Sequence, residues 1–382
     1  MRFLFTFAGG SGHAEPLVPV ALAAQAAGHT VAVAGAASAT AGLRERGLAT
    51  FDDPDLSRPD LATIAPLVEV DLEHEDAVLR DFYAGRSARV RAISVAALCS
   101  TWSPEAIVCD EVDFGAMVAA EHAGLPHATV LVNASGSFVR AELLGAALND
   151  LRAEHGLPTD PHLGMLSRHL VLSPFAPSFR DPSAPLPATA HSFRAGTNAA
   201  PAVRPDWLHT LPDAPSVYFT LGTVFNMESG DLFTRVLTGL RDLPVNLVVT
   251  VGRELDPARF GPQPGNVHIA SYLPQGDVLP YCDLVVSHGG SGTLAATLAT
   301  GLPCLLLPMG ADQPGNARRC VELGLGIALD VTRCTPDEVH AAAAEVLREP
   351  GYRLAARRFR DEIAGLPGPE AMVTLLERLV PA

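Results

Sequence analysis

The sequence of 382 residues contains no lysine, and all 27 of its basic residues are arginine. A Walker-type P-loop needs a lysine on the phosphates, and Schiff-base chemistry needs a lysine amine. The composition therefore excludes a Walker site and a covalently held pyridoxal phosphate. Positive charge is also scarce overall, since 42 acidic residues give a net charge of −15. An acidic surface offers no counter-charge to nucleic acid or to an anionic membrane, so we expect neither as a partner.

Three further features are absent from the sequence. No apolar run reaches the roughly 20 residues that a membrane-spanning helix needs. The N-terminal stretch MRFLFTFAGGSGH has too short an apolar part for a signal peptide and no small-residue cleavage site, so we interpret it as a first strand. The six cysteines show no CxxC spacing, which favours buried, reduced thiols. These observations predict a soluble, cytoplasmic protein, and its length suggests two domains.

The most informative stretch is a glycine-rich turn within residues 287–316, SHGGSGTLAATLATGLPCLLLPMGADQPGN. An apolar strand ends at Val286, and an apolar helix follows the glycines from Leu294 to Thr300. A second apolar strand, Cys304 to Leu307, predicts a parallel α/β sheet with the glycines at the carboxyl end of a strand. Helix N-termini reached through glycines bind anions, so the turn predicts a phosphate site. The local pattern is also compatible with a tight connection that binds nothing.

The order of motifs in this stretch resembles a specific family. HGGSGT followed by P-x-G-A-D-Q-x-x-N-A is similar to the donor site of GT-B glycosyltransferases of the family 1 type, in the branch that decorates natural products in actinomycetes. The resemblance covers nearly the whole chain and implies two Rossmann-like doubly wound α/β domains that face each other across a cleft. It implies an acceptor-binding domain at 1–205, a donor-binding domain at 206–364, and a C-terminal helix at 365–382 that crosses back to the first domain.

The resemblance also implies which residues hold the donor. Tyr272 would stack on the nucleobase, and Leu273 would pair with the base through its backbone, although Tyr272 is also compatible with a half-buried rim position. Asp312 and Gln313 would hydrogen-bond the sugar hydroxyls. The diphosphate would be bound by the glycine turn and, from the opposite rim, by a second loop; the implied residues are Gly12, Thr223, His288, Gly290, Gly292 and Thr293.

One position departs from the family pattern. Plant relatives carry a glutamate that grips both ribose hydroxyls, and Ala296 stands at the matching position here. Bacterial enzymes of this type that use deoxythymidine diphosphate (dTDP) sugars often lack this acid, and a deoxyribose has no 2′-hydroxyl to hold. The departure favours a dTDP-sugar donor over a uridine diphosphate (UDP) sugar.

His13 is the candidate catalytic base. The opening strand, loop and helix resemble a dinucleotide-binding unit, but the loop reads GGSGHAEP and the second strand ends without the acid that holds the ribose of NAD. A histidine just past a strand end is well placed to act as a base near neutral pH. In the resembling family, the histidine of this G-H-x-x-P motif takes the proton of the acceptor hydroxyl. A histidine that merely lines the loop is the alternative.

A catalytic imidazole is usually oriented by a carboxylate on its other nitrogen. Asp110 follows the apolar strand 106–109 and is our candidate for this acid, as the family implies. Glu111 and Asp113 are rivals, because the three carboxylates lie within one turn and their directions are not set by the residue order. An acid cluster that complements a helix dipole is the alternative to a catalytic role.

Other segments predict less. Residues 52–98 contain an arginine-rich helical stretch, where the family places acceptor-binding segments. Asp53-Pro54-Asp55 matches a bare D-x-D metal motif without a supporting nucleotide motif, so we interpret it as a solvated turn and predict no metal. The proline-rich stretch from Leu172 to Leu211 predicts the end of the first domain and the linker that follows it.

Together these features predict metal-independent, inverting glycosyl transfer without a cofactor. The partners are a nucleotide-sugar donor and a small aglycone, for which the resemblance favours a polyketide. A GT-B sugar-nucleotide epimerase and a non-catalytic helper of a partner enzyme are the alternatives. The aglycone, the sugar, the type of glycosidic bond and the oligomeric state are left open, with a homodimer as one option.

Overall fold

The structure is a computed structural model that describes residues 1–53, 56, 63–196 and 211–380. The described chain forms two compact units. The first unit contains residues 1–53, 72–196 and 366–380, and the second contains 63–71 and 211–365. The predicted domain boundary between residues 205 and 206 lies outside the described residues.

The first unit is built on a sheet of seven parallel strands. They are β1 (Arg2–Thr6), β2 (Thr30–Ala36), β3 (Ala49–Asp53), β4 (Ala106–Asp110), β5 (His127–Val130), β6 (Leu170–Ser173) and β7 (Ala190–Ser192). Their order in the sheet is β3-β2-β1-β4-β5-β6-β7. Strand β1 therefore lies between β2 and β4, and the direction in which the sheet grows reverses between β1 and β4. In open parallel sheets, ligands bind at the carboxyl ends of the strands at such a switch point.

The second unit repeats this plan with six parallel strands. They are β8 (Ser216–Thr220), β9 (Asn246–Thr250), β10 (Val267–Ala270), β11 (Leu284–Ser287), β12 (Cys304–Leu306) and β13 (Gly326–Ala328). The order β10-β9-β8-β11-β12-β13 places the switch point between β8 and β11. These two sheets confirm the predicted fold class of two doubly wound α/β domains.

Helices connect the strands and cover the sheets. In chain order they are α1 (Ser11–Ala14), α2 (Val18–Ala26), α3 (Ala37–Glu45), α4 (Leu72–Ala77), α5 (Ala88–Trp102), α6 (Phe114–His122), α7 (Ala141–Glu154), α8 (Leu232–Leu240), α9 (Gln275–Val278), α10 (Ser291–Thr300), α11 (Gln313–Glu322), α12 (Pro336–Arg348), α13 (Pro350–Ala364) and α14 (Pro369–Leu379). A π-helix, Val78–Ser87, joins α4 to α5. None of the helices in the described ranges is long and apolar enough to cross a membrane.

Side chains of the first sheet alternate between two cores, because successive residues of a strand point to opposite faces. Phe3 and Phe5 pack on one face, where Leu376 of α14 is also buried. Leu4 and Ile107 pack on the other face, against α5 and α6. Both faces are thus covered by helices, which explains why the strands are continuous apolar runs.

Residues 63–71 belong to the second unit, although α4 of the first unit follows them directly. The Ala65 N–H donates to the Met227 carbonyl at 2.7 Å, and the Ala65 carbonyl accepts from the Gly230 N–H at 3.1 Å. Ile64 and Leu67 pack against the core of this unit. Gly230 has φ +50°, and a Cβ at this position would lie 2.8 Å from the Leu67 nitrogen. The periodicity of residues 52–98 does not predict this attachment, because it depends on residues more than 150 positions later.

The apolar strand predicted before Asp110 is confirmed as β4, which extends through Asp110 itself. The predicted opening helix is found as α2, which begins at Val18 after a 3-10 turn at Glu15–Leu17. The stretch from Leu172 was predicted as the end of the first domain and the linker, and its described part, up to residue 196, belongs to the first unit. Strands β6 and β7 lie in or overlap this stretch and are hydrogen-bonded into the first sheet, with β7 at its edge. The prolines lie in the loops around them, and the stretch shows no sustained periodicity, so these strands were not predicted.

The buried imidazole of His127 predicts how stability depends on pH. It lies at the start of β5, with Nε2 2.7 Å from the Met165 carbonyl oxygen. Burial lowers the pKa of His127 from its usual value of 6.5 to about 4. In the unfolded chain, His127 therefore becomes protonated below pH ~6.5. In the folded chain it stays neutral until the pH approaches ~4. We expect the contribution of His127 to the free energy of unfolding to be largest above pH ~6.5. It is expected to fall by up to about 1.4 kcal/mol per pH unit as the pH drops towards 4.

Urea denaturation at several pH values between 7.5 and 4.5 measures this slope. The variant His127→Gln, which cannot take up the proton, is expected to reduce the slope, while the buried His288, whose pKa is also lowered to about 4, still contributes to it. His162→Gln, at an exposed position, serves as the matched control and is expected to keep the wild-type slope. An unchanged slope in His127→Gln would assign the pH dependence to other groups.

Candidate active site

The first candidate site lies at the switch point of the first sheet, in the loops after β1 and β4. His13 belongs to the short helix α1 that follows β1, and Asp110 is the last residue of β4. Gly9, with φ +154°, brings the backbone against the edge of the His13 ring, and any Cβ at this position would overlap the imidazole. The parallel pairing of β1 with β4 thus brings together two residues that are far apart in the sequence.

The imidazole of His13 contacts the Asp110 carboxylate. The distance from Nδ1 of His13 to Oδ2 of Asp110 is 3.3 Å, somewhat longer than the usual N–H···O hydrogen bond. The His13 side chain is 25% exposed, whereas the Asp110 side chain is fully buried. One ring nitrogen thus faces a buried carboxylate, and the ring keeps access to solvent. A general base requires this arrangement.

Backbone N–H groups fix the orientation of the Asp110 carboxylate. The Ala8 N–H donates to Oδ2 at 2.8 Å, and the N–H groups of Val112 and Asp113 donate to Oδ1 at 2.6 and 2.8 Å. Oδ2 is therefore shared between the β1 loop and the imidazole. A carboxylate held by three backbone donors cannot turn without breaking hydrogen bonds in a buried place.

The two rival carboxylates have other partners. Oε2 of Glu111 accepts from the Val132 N–H, the Asn133 N–H and the Asn133 side-chain amide at 3.0 to 3.1 Å. Burial raises the pKa of Glu111 above its usual range. Asp113 caps the N-terminus of α6 and forms a 2.7 Å ion pair with Arg91. Of the three candidates that the residue order left open, Asp110 is the one that contacts His13.

The interpretation of Asp53-Pro54-Asp55 as a solvated turn is wrong for its first residue. Asp53 ends β3, is mostly buried and pairs with Arg91, which also pairs with Asp113. Asp55 lies outside the described residues. Arg91 thus forms ion pairs with both the mostly buried Asp53 and the fully buried Asp113. These pairs compensate charges that would be costly to bury alone. Within the described ranges, no three histidine, cysteine, aspartate or glutamate side chains form a group that could hold a metal ion.

One aromatic contact at this site was not predicted. The ring of Tyr83, in the π-helix, is stacked on the His13 ring with centroids 5.8 Å apart and an interplanar angle of 27°. A helical periodicity of 3.6 residues does not predict a π-helix, so the residue order carried no signal for this contact.

The second candidate site lies at the switch point of the second sheet. The glycine turn follows β11, and α10 begins at Ser291 with Gly290 as its N-cap. The loop with Gly222 and Thr223 follows β8, which is the hydrogen-bonded neighbour of β11. The two loops therefore leave neighbouring strands at one edge, which corrects the expectation that Thr223 approaches from the opposite rim.

The ring of His288 packs between the two loops. A Cβ at Gly222 would lie 2.6 Å from its Cε1, and a Cβ at Gly290 would overlap the ring, so both positions need glycine. Burial lowers the pKa of His288 from 6.5 to about 4. The imidazole is therefore neutral at pH 7 and can contribute a hydrogen bond to an anion but no positive charge.

The start of α10 is tied to the segment that the resemblance assigns to the nucleobase. Nε2 of Gln275 donates to Oγ1 of Thr293 at 3.1 Å. Tyr272, three residues earlier, is 49% exposed. The guanidinium of Arg253 lies over its ring, 4.0 Å from the centroid. One face of this ring thus already carries a stacked cation, which the sequence did not predict.

Asp312 and Gln313 brace the loop between β12 and α11. Oε1 of Gln313 accepts from the Met309 N–H at 2.7 Å. Oδ2 of Asp312 accepts from the Ser291 hydroxyl and from the Asn316 side-chain amide, the latter at 2.8 Å. Asn316 also donates to the Gly289 carbonyl at 3.0 Å. These residues therefore connect the loop between β12 and α11 to the glycine turn.

The predicted diphosphate ligands fall in both units. Gly12 is exposed within α1 of the first unit, one residue before His13. Gly292 is exposed in the first turn of α10, whereas Thr293 is buried behind it. The remaining members of the set, Thr223, His288 and Gly290, lie in the two neighbouring loops of the second unit.

Comparison with known proteins identifies the family. The family model described as "Erythromycin biosynthesis protein CIII-like, C-terminal domain" matches residues 234–379. The chain is 29% identical over 420 residues to the 3-alpha-mycarosylerythronolide B desosaminyl transferase of Saccharopolyspora erythraea, covering 99% of this chain and 98% of that protein. It is 30% identical over 380 residues to the L-demethylnoviosyl transferase of Streptomyces niveus, covering 97% of this chain and 96% of that protein.

Solved structures agree with these relatives. The spinosyn rhamnosyltransferase SpnG, solved with thymidine diphosphate, superimposes with a TM-score of 0.78 at 26% identity, covering 99% of this chain and 100% of that one. The same protein has been solved with the spinosyn aglycone.

Two doubly wound α/β units, each with its candidate residues at a switch point, define an enzyme of the GT-B glycosyltransferase class. The chain belongs to the family 1 glycosyltransferases of natural products. The two relatives are both transferases by name, which favours transfer over the epimerase and helper alternatives.

Proposed function

We propose that this glycosyltransferase moves a deoxysugar from a dTDP-sugar to a hydroxyl of a natural-product aglycone, with inversion and without a metal ion. The contact between His13 and Asp110 at the switch point of the first sheet carries the proposal. An epimerase that processes the donor alone has no need of a base for an acceptor hydroxyl. Relatives in antibiotic biosynthesis, such as the desosaminyl transferase, support the deoxysugar and the class of acceptor.

On the acceptor side, Nδ1 of His13 faces Asp110, so Nε2 on the far side of the ring receives the hydroxyl proton. As the proton moves, the acceptor oxygen forms a bond to the anomeric carbon, and the bond from that carbon to the diphosphate oxygen breaks. The buried carboxylate of Asp110 stabilises the imidazolium that results. Attack opposite the leaving group inverts the anomeric centre.

On the donor side, the departing diphosphate needs compensation for its charge. The N-terminus of α10 supplies N–H groups at Gly292 and Thr293 together with the positive end of the helix dipole. Neutral His288 and the hydroxyl of Thr223 add hydrogen bonds. Asp312 and Gln313, on the neighbouring loop, hold the sugar hydroxyls, and Tyr272 and Leu273 hold the base.

We propose dTDP as the nucleotide because Ala296 offers no carboxylate that could bind the hydroxyls of a ribose. Ala296, on α10, packs with Leu273 against the same apolar cluster, so a small side chain adjoins the segment assigned to the nucleobase. SpnG, solved with thymidine diphosphate, supports this choice for a relative of the same fold.

Titration calorimetry in the presence of a chelator is the test. We expect dTDP to bind without metal and about tenfold more tightly than UDP, which corresponds to about 1.4 kcal/mol. The variant Ala296→Glu offers a carboxylate to a 2′-hydroxyl, so we expect it to reduce or reverse this preference.

Ala296→Gln is the control for crowding at this position, because glutamine is similar in size to glutamate but carries no charge. Equal binding of dTDP and UDP by the wild type would reject the dTDP assignment. Binding that appears only when a divalent ion is added would reject metal independence. If neither nucleotide binds under any condition, the donor site proposed here is wrong.

A further inference from the structure

The stacked Tyr83 arises from an unusual stretch of backbone. The π-helix Val78–Ser87 is ten residues long, and the Ala88 N–H at its end donates to the Tyr83 carbonyl five residues earlier. Segments of π-helix are rare and occur frequently at functional sites. This one carries the aromatic ring that lies over the candidate base.

This inference rests on the proposed role of His13 as a base. We propose that Tyr83 is a positioning residue that holds the His13 imidazole in place against Asp110 and stabilises the imidazolium formed during transfer. The ring is then restrained on three sides: by Asp110 at Nδ1, by the Gly9 backbone at its edge, and by Tyr83 on its face.

The physical reason is the charge distribution of an aromatic ring. The face of a tyrosine carries partial negative charge and attracts a cation whose centre lies within about 6 Å. The two centroids are 5.8 Å apart and the ring planes are inclined by 27°, so the charge that forms on His13 lies within reach of the Tyr83 ring. A neutral imidazole gains less from this contact, so Tyr83 favours the protonated state.

Most charged groups near His13 form ion pairs with other residues. Asp110 on β4 is the carboxylate that contacts the ring. Other charged groups on the surrounding elements have partners of their own: Glu15 pairs with Arg46, Arg80 with Asp81, and Asp113 with Arg91. Arg86, in the last turn of the π-helix, is exposed to solvent. Asp110 and Tyr83 are therefore both expected to favour the protonated state of His13.

The test compares Tyr83→Leu with Tyr83→Phe in the full-length protein. A pH titration of the His13 ring by NMR is expected to show a pKa lower by about half a unit in Tyr83→Leu. We expect kcat for transfer to fall about 2- to 5-fold, with the donor KM unchanged. Tyr83→Phe keeps the aromatic face, so we expect it to have the wild-type His13 pKa and the wild-type kcat.

Phe82→Leu is the matched control, since Phe82 is the adjacent ring of the same π-helix and packs edge-on against Tyr83. It is expected to leave the His13 titration unchanged. If Tyr83→Leu also leaves the titration unchanged, the proposal is overturned, whatever happens to thermal stability. A shifted titration together with a chemical step that survives His13→Ala would establish the interaction and reject only the role of His13 as base.

Discussion

Replacing His13 with alanine is expected to lower the rate of the chemical step about 10²- to 10⁴-fold, the usual contribution of a general base. Without the imidazole, the acceptor hydroxyl must lose its proton to water as its oxygen attacks the sugar. Single-turnover kinetics with saturating donor isolates this step from product release. Binding of dTDP is expected to be unchanged, because the residues proposed to bind the nucleobase and most of those proposed to bind the diphosphate lie in the second unit.

The exposed variant His162→Ala controls for the general loss of a histidine and is expected to react at the wild-type rate. Thermal denaturation shows whether His13→Ala remains folded at the assay temperature. A chemical step that is unchanged in His13→Ala would remove the base role and leave the residue as part of the loop lining.

Asp110→Asn is expected to lower the same rate about 10²-fold or more. The amide oxygen of asparagine can accept from Val112 and Asp113, which places its NH₂ group where Oδ2 now faces Ala8 and His13. The imidazole nitrogen next to this NH₂ group then accepts a hydrogen bond, so the ring carries its proton on Nε2. A histidine protonated at Nε2 cannot take the proton of the acceptor.

Glu111→Gln is the matched control for this variant. It makes the same chemical change in the adjacent buried carboxylate, which accepts its hydrogen bonds from Val132 and Asn133. Each replacement can cost about 1 to 3 kcal/mol of stability through mismatched donors, so both are assayed well below their unfolding temperatures. Equal rate losses in the two variants would contradict a specific role for Asp110.

Local patterns were sufficient for much of the fold. Apolar runs separated by glycine turns and helical periodicity predicted strands such as Ala106–Asp110 and the glycine turn at 288–293. They predicted less where the local signal was ambiguous. The proline-rich stretch from Leu172 was predicted as the end of the first domain and the linker, but its strands β6 and β7 were not predicted, because the stretch shows no sustained periodicity.

The candidate site shows the same division. The motif around His13 and the resemblance to the family suggested a base and an acid partner, but three carboxylates at 110–113 were equivalent by position. The choice depends on the directions of their side chains, which the pairing of β1 with β4 and the N-cap of α6 determine.

The residue order alone determined the class of this protein: two parallel α/β sheets, a glycine turn between a strand and a helix, and no lysine for the other common phosphate sites. These features are local, so neighbouring residues encode them. Only the tertiary structure decided that Asp110 faces His13, that Tyr83 stacks on it, that burial makes His288 neutral, and that Arg253 covers Tyr272. Each of these depends on contacts between residues distant in the sequence, whose partners are set by strand order and packing rather than by local pattern.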